Sequence, residues 1–177
     1  VAISYLSADP LRQLSSKALR VFNVEINDFL PSSPGYEQFV DIFVSVSQAH
    51  RQALLREQGA PSDRASWATI PNGVDLDRFS AVKPRVKHRC VYLSSPDRGL
   101  HWVLAMWPEI RFAYPDAELH IFYEVKQWLE STMFMISEIG QRAEYIKRRI
   151  EELSSHGVIL RGALPPVELA QELLQAD

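Results

Sequence analysis

The stretch Ser94-Ser95-Pro96-Asp97-Arg98-Gly99 has the composition best suited to chemistry. It follows the apolar run Cys90-Val91-Tyr92-Leu93 and precedes a periodic apolar segment opening at Leu100, so it reads as the loop from a strand into a helix. The first turn of a helix offers unpaired amides and a partial positive charge, and an adjacent guanidinium adds a rigid fork of donors. Arg98, with amides near Ser95 and Gly99, would suit a diphosphate. An isolated Arg-Gly in a surface loop has the same composition, so the reading depends on what surrounds it.

In an open parallel sheet, ligands bind beyond the carboxyl ends of the strands. That rule adds two segments, Tyr123-Glu124 and Arg161-Gly162-Ala163-Leu164, each following an apolar β-rich run. The histidines carry less. His50 falls in the first turns of a helix, His101 and His120 are separated by a helix, and His88 and His156 sit in linker and helix-end contexts. No short-range ligand spacing joins them, so no metal site is expected. Asn27-Asp28 reads equally as a turn-initiating pair and as a pair of cleft residues. Trp102, Trp107 and Trp128 fall in helix patterns and read as packing residues.

The elements that must position these residues alternate. Val1 to Leu6, Val21 to Ile26, Phe43 to Val46 and Trp67 to Ile70 read as strands, with short helices from Pro10 to Leu19 and from Ser47, a plausible N-cap, to about Gln58 before Gly59. Asn72-Gly73 favours positive φ and predicts a sharp turn. Lys83 to Arg89, with four cations, no acid and a proline, reads as a solvated linker. Beyond it come strands at Cys90–Leu93, Leu119–Tyr123 and Val158–Arg161. Between them lie helices from Leu100 to about Tyr114, with Val103, Met106, Trp107 and Ile110 on one face, and over most of 125–153. Pro108 predicts a kink, Gly140 a break, and Pro165-Pro166 the start of a last helix. Alternation of this kind means parallel sheets with helices on both faces. The fold class is therefore α/β, in parts of two Rossmann-like domains: 1–82, a basic linker 83–89, and 90–177.

The composition agrees. Of 177 residues, 46% are hydrophobic and 23% charged, which suits a folded core and excludes disorder. A net charge of -3 argues against nucleic acid as the partner. One cysteine, Cys90, excludes a disulfide framework and suggests a reducing compartment. No basic-then-apolar leader opens the chain, and no apolar run approaches the roughly 18 residues of a membrane helix. A cytoplasmic setting is expected, with Lys147-Arg148-Arg149 as thin support for a membrane-facing patch.

Several segments resemble a known family in the correct order. Ile70-Pro-Asn-Gly-Val-Asp-Leu-Asp-Arg-Phe79 is similar to the signature of family-4 glycosyltransferases, which have the GT-B fold, and Val44 to Arg51 is similar to the strand-to-helix segment upstream of it. Tyr92 to Leu100, Tyr114 to Tyr123, Gly157 to Gly162 and Leu169 to Asp177 resemble successive parts of the family's C-terminal domain. The resemblance implies a retaining transfer of sugar from a nucleotide-sugar donor, such as a UDP- or GDP-sugar, to a glycan or lipid-linked acceptor. No cofactor or metal is implied. By position, Arg98, Ser95 and Gly99 would hold the donor phosphates, and Arg161, Gly162, Ala163 and Leu164 would flank the base, largely through backbone. Asn72 and Gly73 would lie in the cleft between domains.

The sequence departs from the family pattern at three places. Tyr92 stands where a second basic residue is usual, and Glu124 where glycine is common. The paired glutamates spaced by seven residues would lie beyond Asp177, so a catalytic carboxylate is not identified. The chain is therefore expected to be a fragment, inactive alone, whose open sheet edge would favour a homodimer. A non-catalytic α/β module binding a nucleotide or a protein is the alternative. A nicotinamide-binding domain is disfavoured, because no G-x-G-x-x-G follows a strand.

Overall fold

The structure, a computed structural model, describes residues 1–5, 7–15, 17–25, 32, 34–57, 66–135 and 137–177. The predictions for Asn27-Asp28 and for the Gly59 cap lie outside these residues. Two compact units divide at Val74/Asp75.

The first unit holds four parallel strands in sequence order: β1 (Ala2–Tyr5), β2 (Arg20–Val24), β3 (Ile42–Ser45) and β4 (Ser66–Thr69). Period-2 alternation sends Phe22, Val24 and Phe43 to one face, where they pack with Leu11 and with Leu54 of helix α1 (Gln48–Glu57). Phe43 stacks on Trp67 at 5.2 Å and meets Phe22 edge-on at 6.0 Å. The segment predicted as a helix from Pro10 is a single 3₁₀ turn, Asp9–Gln13. Ser47 caps α1 as expected, its Oγ accepting from the His50 amide at 3.0 Å.

The second unit holds three parallel strands in sequence order: β5 (Arg89–Tyr92), β6 (Glu118–Ile121) and β7 (Val158–Leu160). Between them run α2 (Leu100–Ala113), α3 (Val125–Thr132) and α4 (Glu138–Leu153), and α5 (Pro166–Leu173) follows β7. Leu100, Leu104 and Trp107 of α2 are spaced i, i+4, i+7, as are Ile146, Ile150 and Leu153 of α4. Both stripes close over Leu119 and Ile121 of β6. Each such leucine or isoleucine contributes about 1.5–3 kcal/mol by leaving water. The predicted face of α2 is thus shifted: Met106 is 51% exposed, while Leu100 and Leu104 are buried.

The opposite face of this sheet carries a polar ladder beside Val91 and Ile159. Glu118 and His120 alternate with Leu119 and Ile121, and they join a ladder from Arg89 through Glu118, His120 and Arg161 to Glu172 of α5. Helix α5 therefore meets the face that α2 and α4 leave, as the alternating sequence predicted.

Three local expectations are corrected. Helix α2 continues through Pro108. Proline removes the amide that would have bonded the Leu104 carbonyl, and Arg149 of α4 donates to that carbonyl instead at 3.2 Å. The break in 125–153 falls before Ser137, whose hydroxyl caps α4, and Gly140 lies buried within the first turn of that helix. The stretch read as a solvated linker is held to the second unit. Val86 N–H donates to the Gln175 carbonyl at 2.8 Å, and His88 pairs with Asp116 at 2.7 Å while adopting a left-handed backbone, φ 60°. Among the described residues, no helix is long and apolar enough to cross a membrane.

Candidate functional site

Parallel pairing in register brings the carboxyl ends of β5, β6 and β7 to one edge of the second unit. Three loops leave that edge: 93–99 into α2, 122–124 into α3, and 161–165 into α5.

The first loop is built around Ser95. Its carbonyl accepts from the Tyr92 hydroxyl at 2.8 Å and from the Arg98 amide at 2.9 Å, which closes the 3₁₀ turn Pro96–Arg98. The Ser95 hydroxyl is bonded to the Asp97 carboxylate, so it shapes the turn instead of facing a ligand. Burial pushes the Tyr92 phenol up from its ordinary value, opposed by a backbone bond from Leu100 and by the Arg98 charge. Gly99 takes φ 109°, a left-handed conformation that lets the turn run directly into α2, and its carbonyl accepts from Trp102 and Val103. Arg98 is exposed, and among the described residues no hydrogen bond or ion pair engages its guanidinium. A free cation thus stands beside the positive end of a 14-residue helix, a combination that attracts phosphate oxygens.

The other two loops are joined by Glu124. Its Oε1 accepts from the Ala163 amide at 3.0 Å, across 39 residues of sequence. Gly162 is left-handed at φ 72°, and a Cβ there would reach 3.4 Å from the same oxygen. Two cavities flank this bridge. One of 490 Å³ is lined by Tyr123, Glu124, Gln127, Trp128, Ser131 and Ala163. The second, of 280 Å³, shares Tyr123 and Glu124 and adds Lys126, Leu160, Arg161 and Gly162. Leu164 lines neither.

The structure separates the predicted residues into groups. Ser95, Arg98 and Gly99 share the β5 loop, and Arg161, Gly162 and Ala163 share the β7 loop beside Glu124. The Arg161 side chain turns away toward α5. It donates to Glu172 at 3.0 Å and stacks over Phe122 at 5.6 Å, while the Arg161 and Ala163 amides are held by the Ile121 carbonyl and Glu124. The Glu118 carboxyl on the same ladder is held below its ordinary value, first by its hydrogen bond to His120 and also by Arg89.

Asn72 and Gly73 line a 290 Å³ cavity in the first unit with Tyr5, Asn23 and Ile70. Neither has positive φ, so the sharp turn expected there is replaced by irregular chain. His50 is buried, with Nδ1 accepting from the Val46 amide at 3.3 Å. Among the described residues, no group of three or more His, Cys, Asp or Glu side chains could hold a metal ion. A further groove of 310 Å³ lies between α2 and α4, beside Trp102 and Tyr145. Sequence reading placed Glu124 in a strand-end segment and as a departure from a family pattern, but not as a contact between two loops. Its role as the clasp between two loops depends on a contact that no local motif encodes.

No protein-family model matches the sequence, and no curated protein sequence matches it. Solved structures do. The crystal structure of an S. aureus TarM mutant in complex with Fondaparinux, alpha-GlcNAc-glycerol and UDP is 14% identical, with a TM-score of 0.54 over 91% of this chain and 31% of that one. The crystal structure of the GtfA/B complex is 19% identical, with a TM-score of 0.51 over 82% of this chain and 30% of that one. The chain therefore spans less than a third of the length of these structures, and at such identities the likeness establishes fold alone. The chain has parts of two Rossmann-like parallel-sheet domains of the GT-B type.

Proposed function

We propose that this chain is part of a glycosyltransferase whose second unit binds the nucleoside diphosphate of a sugar donor. The carrying observation is Arg98: a guanidinium without a protein partner among the described residues, at the tip of β5 and the mouth of α2. The fold supports the reading, and the TarM structure similar to it holds UDP. As a glycosidic bond to a diphosphate breaks, negative charge grows on the leaving oxygen, and a fixed cation stabilises that charge most in the transition state. Arg98 would supply the cation, the first amides of α2 would supply donors, and the backbone of 161–164 would border the base. Family-4 membership and retention of configuration follow from the ordered sequence resemblance and belong to the same proposal. Donor binding is the property to test.

Titration calorimetry with UDP and GDP, on the full chain and on Arg98→Ala, tests the proposal. Loss of one charge-assisted contact to phosphate is expected to cost about 1.5–3 kcal/mol, a roughly tenfold to hundredfold weaker affinity. Equal affinities in the two proteins would remove Arg98 from the site and with it the basis of the reading.

A further inference from the structure

The clasp between the second and third loops has consequences for which base the site accepts. Glu124 is exposed at the carboxyl end of β6 and lines both cavities there. One oxygen, Oε1, holds the Ala163 amide at 3.0 Å, and among the described residues no donor reaches Oε2. The cavity beside it carries Tyr123 and Trp128, flat aromatic rings of the kind on which a base stacks. An anionic acceptor therefore stands in a base-sized, aromatic-walled cavity. The Ala163 amide, which could otherwise donate to a base carbonyl, is already used.

The hydrogen-bonding edges of the bases respond differently to such a group. Uracil presents carbonyl, N–H, carbonyl, so a carboxylate aimed at its one donor meets two flanking acceptors. Cytosine and adenine each present a single amino donor beside ring acceptors. Guanine alone presents two adjacent donors, N1–H and the 2-amino group, which a carboxylate can accept together.

We infer that Glu124 makes this site selective for a guanine nucleotide, so that the donor is a GDP-sugar. The inference rests on the nucleotide-binding reading above and names the base for it. Glu124 acts as a specificity residue here. It holds the loop through one lone pair of Oε1 and reads the two guanine donors through Oε2 and the remaining lone pair of Oε1.

Calorimetry of the full chain with GDP, IDP, UDP and pyrophosphate tests it, alongside Glu124→Gln. Glutamine keeps an oxygen for the Ala163 amide, so the loop stays clasped, but it replaces the second acceptor with a donor. GDP should bind about tenfold or more tighter than UDP, and IDP, lacking the 2-amino group, should fall between them. In Glu124→Gln the order should invert, with GDP weakened and UDP unchanged or tightened; a merely structural role for Glu124 would weaken both alike. Equal binding of GDP and UDP, or tighter UDP, overturns the guanine inference; Arg98-dependent pyrophosphate binding in the same experiment would leave the diphosphate reading standing. Absence of binding by all four probes overturns both.

Discussion

Gly140→Ala sets two effects of opposite sign against each other. Gly140 lies within a 16-residue helix, where alanine is favoured over glycine by about 1 kcal/mol on backbone entropy and propensity. The packing opposes it. An added Cβ would sit 2.0 Å from the Met135 carbonyl oxygen, 3.1 Å from its carbon and 3.4 Å from the Thr132 oxygen. All three are backbone atoms, of the α3–α4 connection and the last residue of α3, so no side chain can swing aside, and the backbone itself must move. Overpacking of this kind costs roughly 1–3 kcal/mol, and a backbone obstacle puts it at the upper end. The expected net loss is about 2 kcal/mol, read as a lower urea midpoint with an unchanged slope in tryptophan fluorescence. Gly99→Ala is the control. Nothing lies within 4 Å of its Cβ, so only left-handed strain of about 1–2 kcal/mol applies. Stabilisation of Gly140→Ala by the helix-propensity increment would refute the close approach.

Arg149→Met should cost about 1–2 kcal/mol, because it strands the carbonyl that Pro108 leaves open, and the cost should shrink in a Pro108→Ala background, where an amide is restored; additive costs in a urea double-mutant cycle would disprove the compensation. The Asp41 carboxyl is held below its ordinary value near 3.8, first by its side-chain hydrogen bond from Arg20 and then by the Arg20 backbone amide. Because the folded value is the lower one, the unfolded chain takes up more protons between the two. The stabilisation is complete above the unfolded value and is lost as pH falls through the folded one. Asp41→Asn should therefore flatten the acid limb of the stability profile below about pH 4, and an unchanged limb would remove the pair from the account. Glu172→Gln should free the Arg161 guanidinium from its strongest partner, raising proteolytic cleavage within 161–165 without altering the far-UV spectrum; unchanged protection would show that Phe122 and His120 suffice to hold it.

The order and type of the strands and long helices were legible because they depend on local periods. The strand at 119–121 and the helix from Leu100 are each visible in a short window, although the face read for that helix shares only Trp107 with its fully buried set. The Arg98-Gly99 loop was legible for the same reason, since a strand end, small residues and a helix start are contiguous in sequence. The misreadings share a different cause. Gly140 read as a helix breaker because propensity is local, whereas its reason is the carbonyl of Met135 packed against it. Residues 83–89 read as a linker from charge alone. Their anchors, Gln175 and Asp177, lie about ninety residues away along the chain. The partner of the Arg161 side chain, Glu172 of α5, was equally out of reach of a local reading. A sequence motif gives the residue but not the competitor for its hydrogen bonds.

The charges at the strand tips also impose a direction on any nucleoside diphosphate bound there. The β5 loop offers Arg98 and a helix N-terminus, while the β6 and β7 loops meet at a carboxylate, Glu124. A diphosphate laid in the larger, aromatic-walled cavity, whose lining carries Glu124 and no cation, would face that carboxylate and forfeit the α2 terminus, an unfavourable like-charge contact at short range. Turned the other way, the phosphates meet the cation and the base edge meets the acceptor, so both ends of the ligand gain. The two proposals are therefore coupled through orientation. Reversing the charge at one end, by Arg98→Glu, should abolish pyrophosphate binding; the base preference set at Glu124 should then be undetectable, because no anchored diphosphate remains to present the base to it.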